Sequence, residues 1–493
     1  MKRKQKKDKP SLDERELVAD QLARFQSLVS PEEFKILSGI VDQPVIPSLR
    51  INLLKRNLAF TDELSTRYGW KLSQIPFCSS GFRVITGQGL QLSETIEYKN
   101  GDYYIQEASS MLPVELFSQT DPSRMLTLDL AASPGGKTTH LVSQMNDRGL
   151  ILANDSSQGR IQALRIVLQH WGAENTAVTR FPGESFGNWF PETFDRVLID
   201  APCSMQGLRS TESHPPRPVT ERETQHLAKR QTELLTSALQ AACIGGEVVY
   251  STCTLAQEED EGVVEVILSR FGDSVQLEDA QAHLPTPAPG ISKTQSSQEM
   301  QKTIRLWPHR YDTAGFFACK FRKISSMEIK AKTPPSHSME KAGFYELSSN
   351  EQSQFSTQFE NSFGFPLQDY LQQNLRTLVR RDDKVFIFPQ LLLERFRSLP
   401  VQSVGLTLCS TGPEGILPTF EWAARFAQKC KLSILTLSTD QKNLWMKGND
   451  LPLAGHPVKE TTVYFVMSEE GQFLGRGKML QQSIKNLDYR RYQ

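Results

Sequence analysis

"RMLTLDLAASPGGKTTHL", residues 124–141, decides the fold. Its apolar opening (124–130) reads as a buried strand, and from Thr138 to about Met145 the spacing is helical. Between them lies a turn of small residues. A strand entering a helix through such a turn is the first unit of an open α/β sheet, whose backbone N–H groups and positive helix end face a ligand crevice. The alternation continues along the chain. "GLILAND" (149–155), "NTAVTRF" (175–181), "FDRVLID" (194–200) and "EVVYSTC" (247–253) read as four further strands. "QGRIQALRIVLQHWG" (158–172) carries apolar residues at 161, 164, 167, 168 and 171, one helical face. A long helix is expected over roughly 221–243, ended by Gly245-Gly246, and "EEDEGVVEVILSRFG" (258–272) opens with acids suited to the positive end of a helix dipole. The pattern is a Rossmann-like, doubly wound parallel sheet.

Around this unit the chain divides into four expected parts: a basic arm and small mixed α+β domain (1–95), the sheet domain (96–323), a linker rich in Pro and Ser (324–340), and a strand-rich C-terminal region (341–493). Residues 284–302 read as a surface loop. At 493 residues, 38% hydrophobic and 23% charged, with a mean hydropathy of −0.40, the composition is that of a globular protein. No window approaches the ~18 apolar residues of a membrane span, and no apolar stretch follows the basic N-terminus to make a signal peptide. A cytoplasmic protein without membrane contact is expected. Lys plus Arg equals Asp plus Glu at 56 each, so net charge names no partner, but "MKRKQKKDKP" at the start and "GRGKMLQQSIKNLDYRRYQ" at the end are basic arms of the kind that touch nucleic acid.

The turn selects a cofactor class. A dinucleotide site wants Gly-x-Gly-x-x-Gly, which is absent. A phosphate-binding P-loop ends as Gly136-Lys137-Thr138 does, but its opening glycine is here Ala131. The third class, S-adenosylmethionine, needs an acid at the end of the second strand for its ribose hydroxyls. Asp155 stands there. Alone, Asp155 reads equally well as a helix cap; joined to the turn and to Asp200, the cofactor reading prevails.

Seven cysteines are scattered with none of the close spacings that hold zinc, so no metal is expected. Cys243 and Cys319 read as small buried hydrophobes, and Cys78, Cys409 and Cys430 take no assignment. Cys203 and Cys253 differ, each lying at or just past the end of an apolar strand, after "DAP" and "YST". A methyl donor, an acid and two thiols in one crevice suit methylation of cytosine at C5. That carbon is too weak a nucleophile unaided. A thiolate adding at C6, with Asp200 donating toward N3, makes C5 nucleophilic, and a second thiol assists release. Lys137 is the cation expected to help ionise the attacking thiol, and burial is expected to keep a proton on Asp200.

These residues also carry a resemblance. "YYIQEASSMLPVELF", "LDLAASPGGKTTHL", "LIDAPCS", "GGEVVYSTCTLAQEEDEGVV" and "HRYDTAGFFACKFRK" resemble, in order and spacing, the Nol1/Nop2/Sun family of RNA cytosine-5 methyltransferases, and "SLRINLLK", with Arg50 and Asn52, is similar to that family's N-terminal segment. "KVFIFP" and "FLGRGKMLQQSIKN" resemble the bacterial branch acting on ribosomal RNA, which ends in a PUA-like RNA-binding domain. The resemblance implies Cys253 as nucleophile and Cys203 as release cysteine. It places the donor's methionine end on Ala131, Ala132, Ser133, Pro134, Gly135, Gly136 and Lys137, its ribose on Asp155, and Asp200 between donor and base. It further implies RNA binding by the N-terminal domain and a monomer acting on 16S ribosomal RNA. Transfer-RNA methylation, or an RNA-binding assembly factor of the same fold with impaired catalysis, are the alternatives. Three positions depart from the family: Pro182 where an acid usually contacts the adenine side, Met205 where glycine is usual, and residues 208–218 in place of an Arg-Lys-x-Pro-Asp loop.

Overall fold

The strands of the quoted unit alternate between two cores. Leu126, Leu128, Leu150, Leu152, Val197, Ile199 and Val248 point to one side of a sheet, while Ile151, Ala153, Leu198 and Val249 point to the other. A strand buried on both faces must be apolar at every position, which is why these segments lack a polar alternation. The computed structural model describes residues 19, 22–41, 43–85, 91–209, 219–291, 297–413, 415–452, 463–480 and 482–491. The basic arm of the first ten residues, and 210–218 of the divergent loop, lie outside the described residues.

In the central sheet the order is Thr176–Thr179, Leu150–Asn154, Leu126–Asp129, Phe194–Asp200, Ala242–Thr252, Phe316–Lys323 and Val275–Glu278. The first five run parallel, Phe316–Lys323 is antiparallel to its neighbours, and Ile304–Leu306 pairs with it as well. The chain order reverses between Leu126–Asp129 and Phe194–Asp200. Loops leaving the carboxyl ends of those two strands diverge to opposite faces, and the crevice between them is the ligand site of such sheets.

Several expectations need correction. The long helix ends at Ala241, and Gly245-Gly246 belong to the strand Ala242–Thr252. That pair sits beside a register shift against Phe194 and Arg196, and Gly245 takes the φ of +85° that a bulge asks of glycine. Glu258–Asp260 form a turn ahead of the helix Glu261–Phe271 instead of its first turn. Residues 284–302 are not all surface: Ala288 and Met300 are fully buried. Cys319 is buried as expected, but Cys243 is only half-buried.

An antiparallel N-terminal sheet, ordered Leu72–Ile75, Cys78–Val84, Ser48–Ile51 and Tyr103–Ile105, packs beside the central one, and two five-stranded sheets form the C-terminal region. The region is sewn to the central sheet. Ser403–Val404 pairs antiparallel with Thr176–Thr179, and Gln169 bonds both the Gly405 carbonyl (2.6 Å) and the Thr407 N–H (3.1 Å). Below this seam Arg425 meets the Asp147 carboxylate and the Gly172 carbonyl, while Glu174 accepts the Tyr370 hydroxyl at 2.7 Å and lies 3.5 Å from Arg376. The same region touches the N-terminal part through Asn100 to the Phe473 carbonyl (2.9 Å) and Gln472 to Glu97 (2.9 Å). Among the described residues, no helix is long and apolar enough to cross a membrane.

Stripping a buried acid of its cation costs far more than the pair itself contributes. Arg425→Met leaves Asp147 without its guanidinium partner and is expected to lower stability in urea unfolding by about 3–5 kcal/mol; an unchanged midpoint contradicts a structural role for this seam.

Candidate active site

The cofactor turn is held from several sides. Gly135 has φ +117°, and a Cβ there would meet Val167 at 2.9 Å, so the tight approach of turn and helix requires glycine. The nine-residue helix Gly136–Gln144 follows at once. Arg50, fully buried, donates to the Gly136 carbonyl (3.0 Å) and the Thr139 hydroxyl (2.7 Å). Arg160 donates to the Ser133 carbonyl (2.6 Å), and Ser133 donates back to the Arg160 carbonyl (3.1 Å). Ala132 N–H donates to the Asn154 carbonyl (2.7 Å). Asn154 in turn bonds the Leu130 and Phe181 carbonyls and accepts from Thr179 and the Phe181 N–H, tying three strand ends together. Thr138 donates to Asp129 (2.7 Å), and burial pushes this carboxyl up to about 7.

The sequence context of Asp155 leaves a helix cap and a ligand contact both open. The cap position of helix Gln158–Trp171 is Ser157. Asp155 accepts the Ser157 N–H through Oδ1 (2.8 Å), and its Oδ2, 3.6 Å from Arg160, is buried with no hydrogen bond. A buried carboxylate oxygen without a donor fits a ligand hydroxyl. After the third strand, where the family has an acid, Pro182 is exposed, and nearby Glu184 is engaged with Arg230 at 3.1 Å.

Across the crevice the two thiols meet. Cys203 Sγ and Cys253 Sγ are 3.2 Å apart, although 50 residues separate them. Lys137 Nζ lies 2.6 Å from Asp200 Oδ2 and 5.5 Å from the centre of the Phe316 ring, and Ser251 donates to Asp200 Oδ1 at 3.1 Å. The sequence reading set Lys137 to serve a thiol and buried Asp200; here each is the other's ion partner, and the Asp200 side chain is 35% exposed. Cys203 is held well above the usual thiol range by its hydrogen bond to Cys253 and by burial, so it keeps its proton. Met205 adopts φ +59°, the left-handed region, which gives a physical reason for glycine at this position.

A buried frame behind the thiols was missed in the sequence. Glu259 accepts the Ser204 N–H (2.9 Å) and Gln231 (2.8 Å), and Gln231 also donates to the Pro202 carbonyl (2.9 Å), fixing the Cys203 turn. Arg305 fixes the other: it donates to the Leu255 carbonyl (2.7 Å), Glu261 (2.8 Å) and Asp260 (3.1 Å), while Thr252 donates to Asp260 (2.6 Å). The run Glu259-Asp260-Glu261, read as dipole complement, is the acidic half of this frame. Its local signal was a run of four acids, Glu258–Glu261, at the start of an apolar helix.

Sheet order, glycine turn and strand-end acids together define an S-adenosylmethionine-dependent methyltransferase. Residues 118–322 match the family model of 16S rRNA methyltransferase RsmB/F, and residues 17–108 that of the N-terminal domain of 16S rRNA methyltransferase RsmF. A curated relative named ribosomal RNA small subunit methyltransferase F, from Shewanella loihica, is 32% identical over 90% of this chain and 88% of its own length. One of the same name from Escherichia coli O17:K52:H18 is 31% identical over 94% and 93%. Among solved structures, a methyltransferase homolog protein from Pyrococcus horikoshii is 28% identical, with a TM-score of 0.52, over 64% of this chain and 100% of that one. The chain belongs to the RsmB/F family of 16S rRNA methyltransferases, in its RsmF branch.

Met205→Gly relieves the left-handed penalty and is expected to raise stability in urea unfolding by about 1 kcal/mol. A less stable glycine variant contradicts backbone strain at this position.

Proposed function

We propose that this chain methylates C5 of a cytosine in 16S ribosomal RNA, in the cytoplasm, through a covalent bond between Cys253 and C6 of the base. The observation that carries the proposal is the convergence of two thiols 3.2 Å apart with a Lys137–Asp200 pair at the carboxyl edge of one sheet. The names of the full-length relatives support ribosomal RNA as the substrate.

In this reading the turn from Ala131 to Lys137 holds the methionine end of S-adenosylmethionine, and the unpartnered Oδ2 of Asp155 takes a ribose hydroxyl. That donor supplies an electrophilic methyl group. The target cytosine leaves its helix to reach the crevice. Cys253, as thiolate, adds to C6; electrons move through the ring to N3, which Asp200 protonates with Lys137 as the hydrogen-bonded source. C5 then takes the methyl group. Loss of the C5 proton to water restores the C5–C6 double bond, the C6–S bond breaks to release the Cys253 sulfur as thiolate, and N3 returns its proton to Asp200 and Lys137. Cys203 serves this last stage, because its sulfur lies 3.2 Å from the departing Cys253 sulfur.

The covalent step provides the test. With 16S ribosomal RNA and donor, Cys203→Ala is expected to accumulate a protein–RNA adduct stable to denaturing electrophoresis, whereas Cys253→Ala forms none and loses methylation. Methylation at the normal rate by Cys253→Ala overturns the assignment, as does a Cys203→Ala variant that turns over without adduct.

A further inference from the structure

Beside the helix of the cofactor turn, three side chains from separate elements converge. Cys78 opens the N-terminal strand Cys78–Val84, Glu115 ends the short helix Leu112–Glu115, and His140 lies on the cofactor-turn helix Gly136–Gln144. One ligand atom from each lies within 4.8 Å of the others. His140 Nε2 is 3.1 Å from Glu115 Oε1 and 3.9 Å from Cys78 Sγ.

We propose that Cys78, Glu115 and His140 form a zinc-binding site that clamps the N-terminal sheet to the helix of the cofactor turn.

The geometry favours a shared centre over a hydrogen-bonded relay. A thiol–imidazole–carboxylate relay uses both ring nitrogens, one for each partner. Here sulfur and carboxylate crowd the same nitrogen, and Nδ1, on the far side of the ring, meets neither. Bond lengths of ~2.3 Å to sulfur and ~2.0–2.2 Å to nitrogen and oxygen at tetrahedral angles put ligand atoms about 3.3–3.6 Å apart. The observed 3.1 and 3.9 Å bracket that range, and all three ligand atoms lie within 4.8 Å of one another. Cys78 and His140 are almost fully buried, while the Glu115 side chain is 21% exposed, giving the ion an entrance and a place for a water as fourth ligand.

Zinc binding is an exchange: the Cys78 S–H bond breaks, the S–Zn bond forms, and a proton leaves to solvent.

Cobalt(II) is the probe, because a thiolate ligand gives it a near-ultraviolet charge-transfer band and tetrahedral coordination gives visible d–d bands. The full chain, treated with a strong chelator and titrated, is expected to show both bands saturating at one ion per chain, with zinc then displacing the cobalt. Cys78→Ser abolishes the charge-transfer band, and Cys203→Ser leaves it intact. His140→Gln, which keeps the side chain's bulk, weakens cobalt binding by ~100-fold or more, since even an outer partner of a ligand is worth 10–100-fold. Absence of the bands in the wild-type chain overturns the proposal. So does a charge-transfer band that survives Cys78→Ser and disappears in Cys203→Ser, which assigns the metal to the thiol pair.

Discussion

One ion pair spans the gap on which the site depends. Lys137 stands on the helix that leaves the first strand of the central sheet, and Asp200 ends the fourth; the sheet order reverses between those strands, so no crossover fills the space above them. Closing that space with a 2.6 Å contact brings the cofactor turn and the "DAPC" segment to one place. Cys203 follows Asp200 by three residues, and Cys253 directly follows the neighbouring parallel strand, whose Ser251 bonds the same Asp200. The positions of both thiols therefore derive from the pairing of two strands. Their 3.2 Å separation derives from the buried Glu259 and Arg305 frames that hold the two turns.

Around this centre the chain closes on itself. The C-terminal region lengthens the central sheet by an antiparallel strand, anchors to it through buried charges, and reaches back to the N-terminal part at Glu97 and Asn100. Flexible tethering by residues 324–340 would need a segment without contacts; instead Lys332 donates to the Asn188 carbonyl and His337 to the Ser398 carbonyl, and Met327 and Met339 are buried. The three parts thus form one joined body, in which the distance of each from the thiols is set by packing.

What was legible in the sequence was local. Continuous apolar runs marked the parallel strands, and residues directly after them, Asp129, Asp155, Asp200, Cys203 and Cys253, were legible because strand ends share an edge. Partnership across the chain was not. Lys137 and Asp200 are 63 residues apart, and nothing in either segment announces that the ammonium serves the carboxylate in preference to a thiol. Gly245-Gly246 looked like a helix stop because glycine ends helices and also builds bulges, and only the strand partner decides which. Cys78, Glu115 and His140 left no spacing to read, since each comes from a different element.

The central claim is that this geometry places a methyl group on C5 of a ribosomal cytosine. Bisulfite sequencing of 16S ribosomal RNA from cells with and without the chain tests it most directly. The account predicts a cytosine that resists conversion only when the chain is present; identical conversion at every 16S cytosine in the two samples contradicts it.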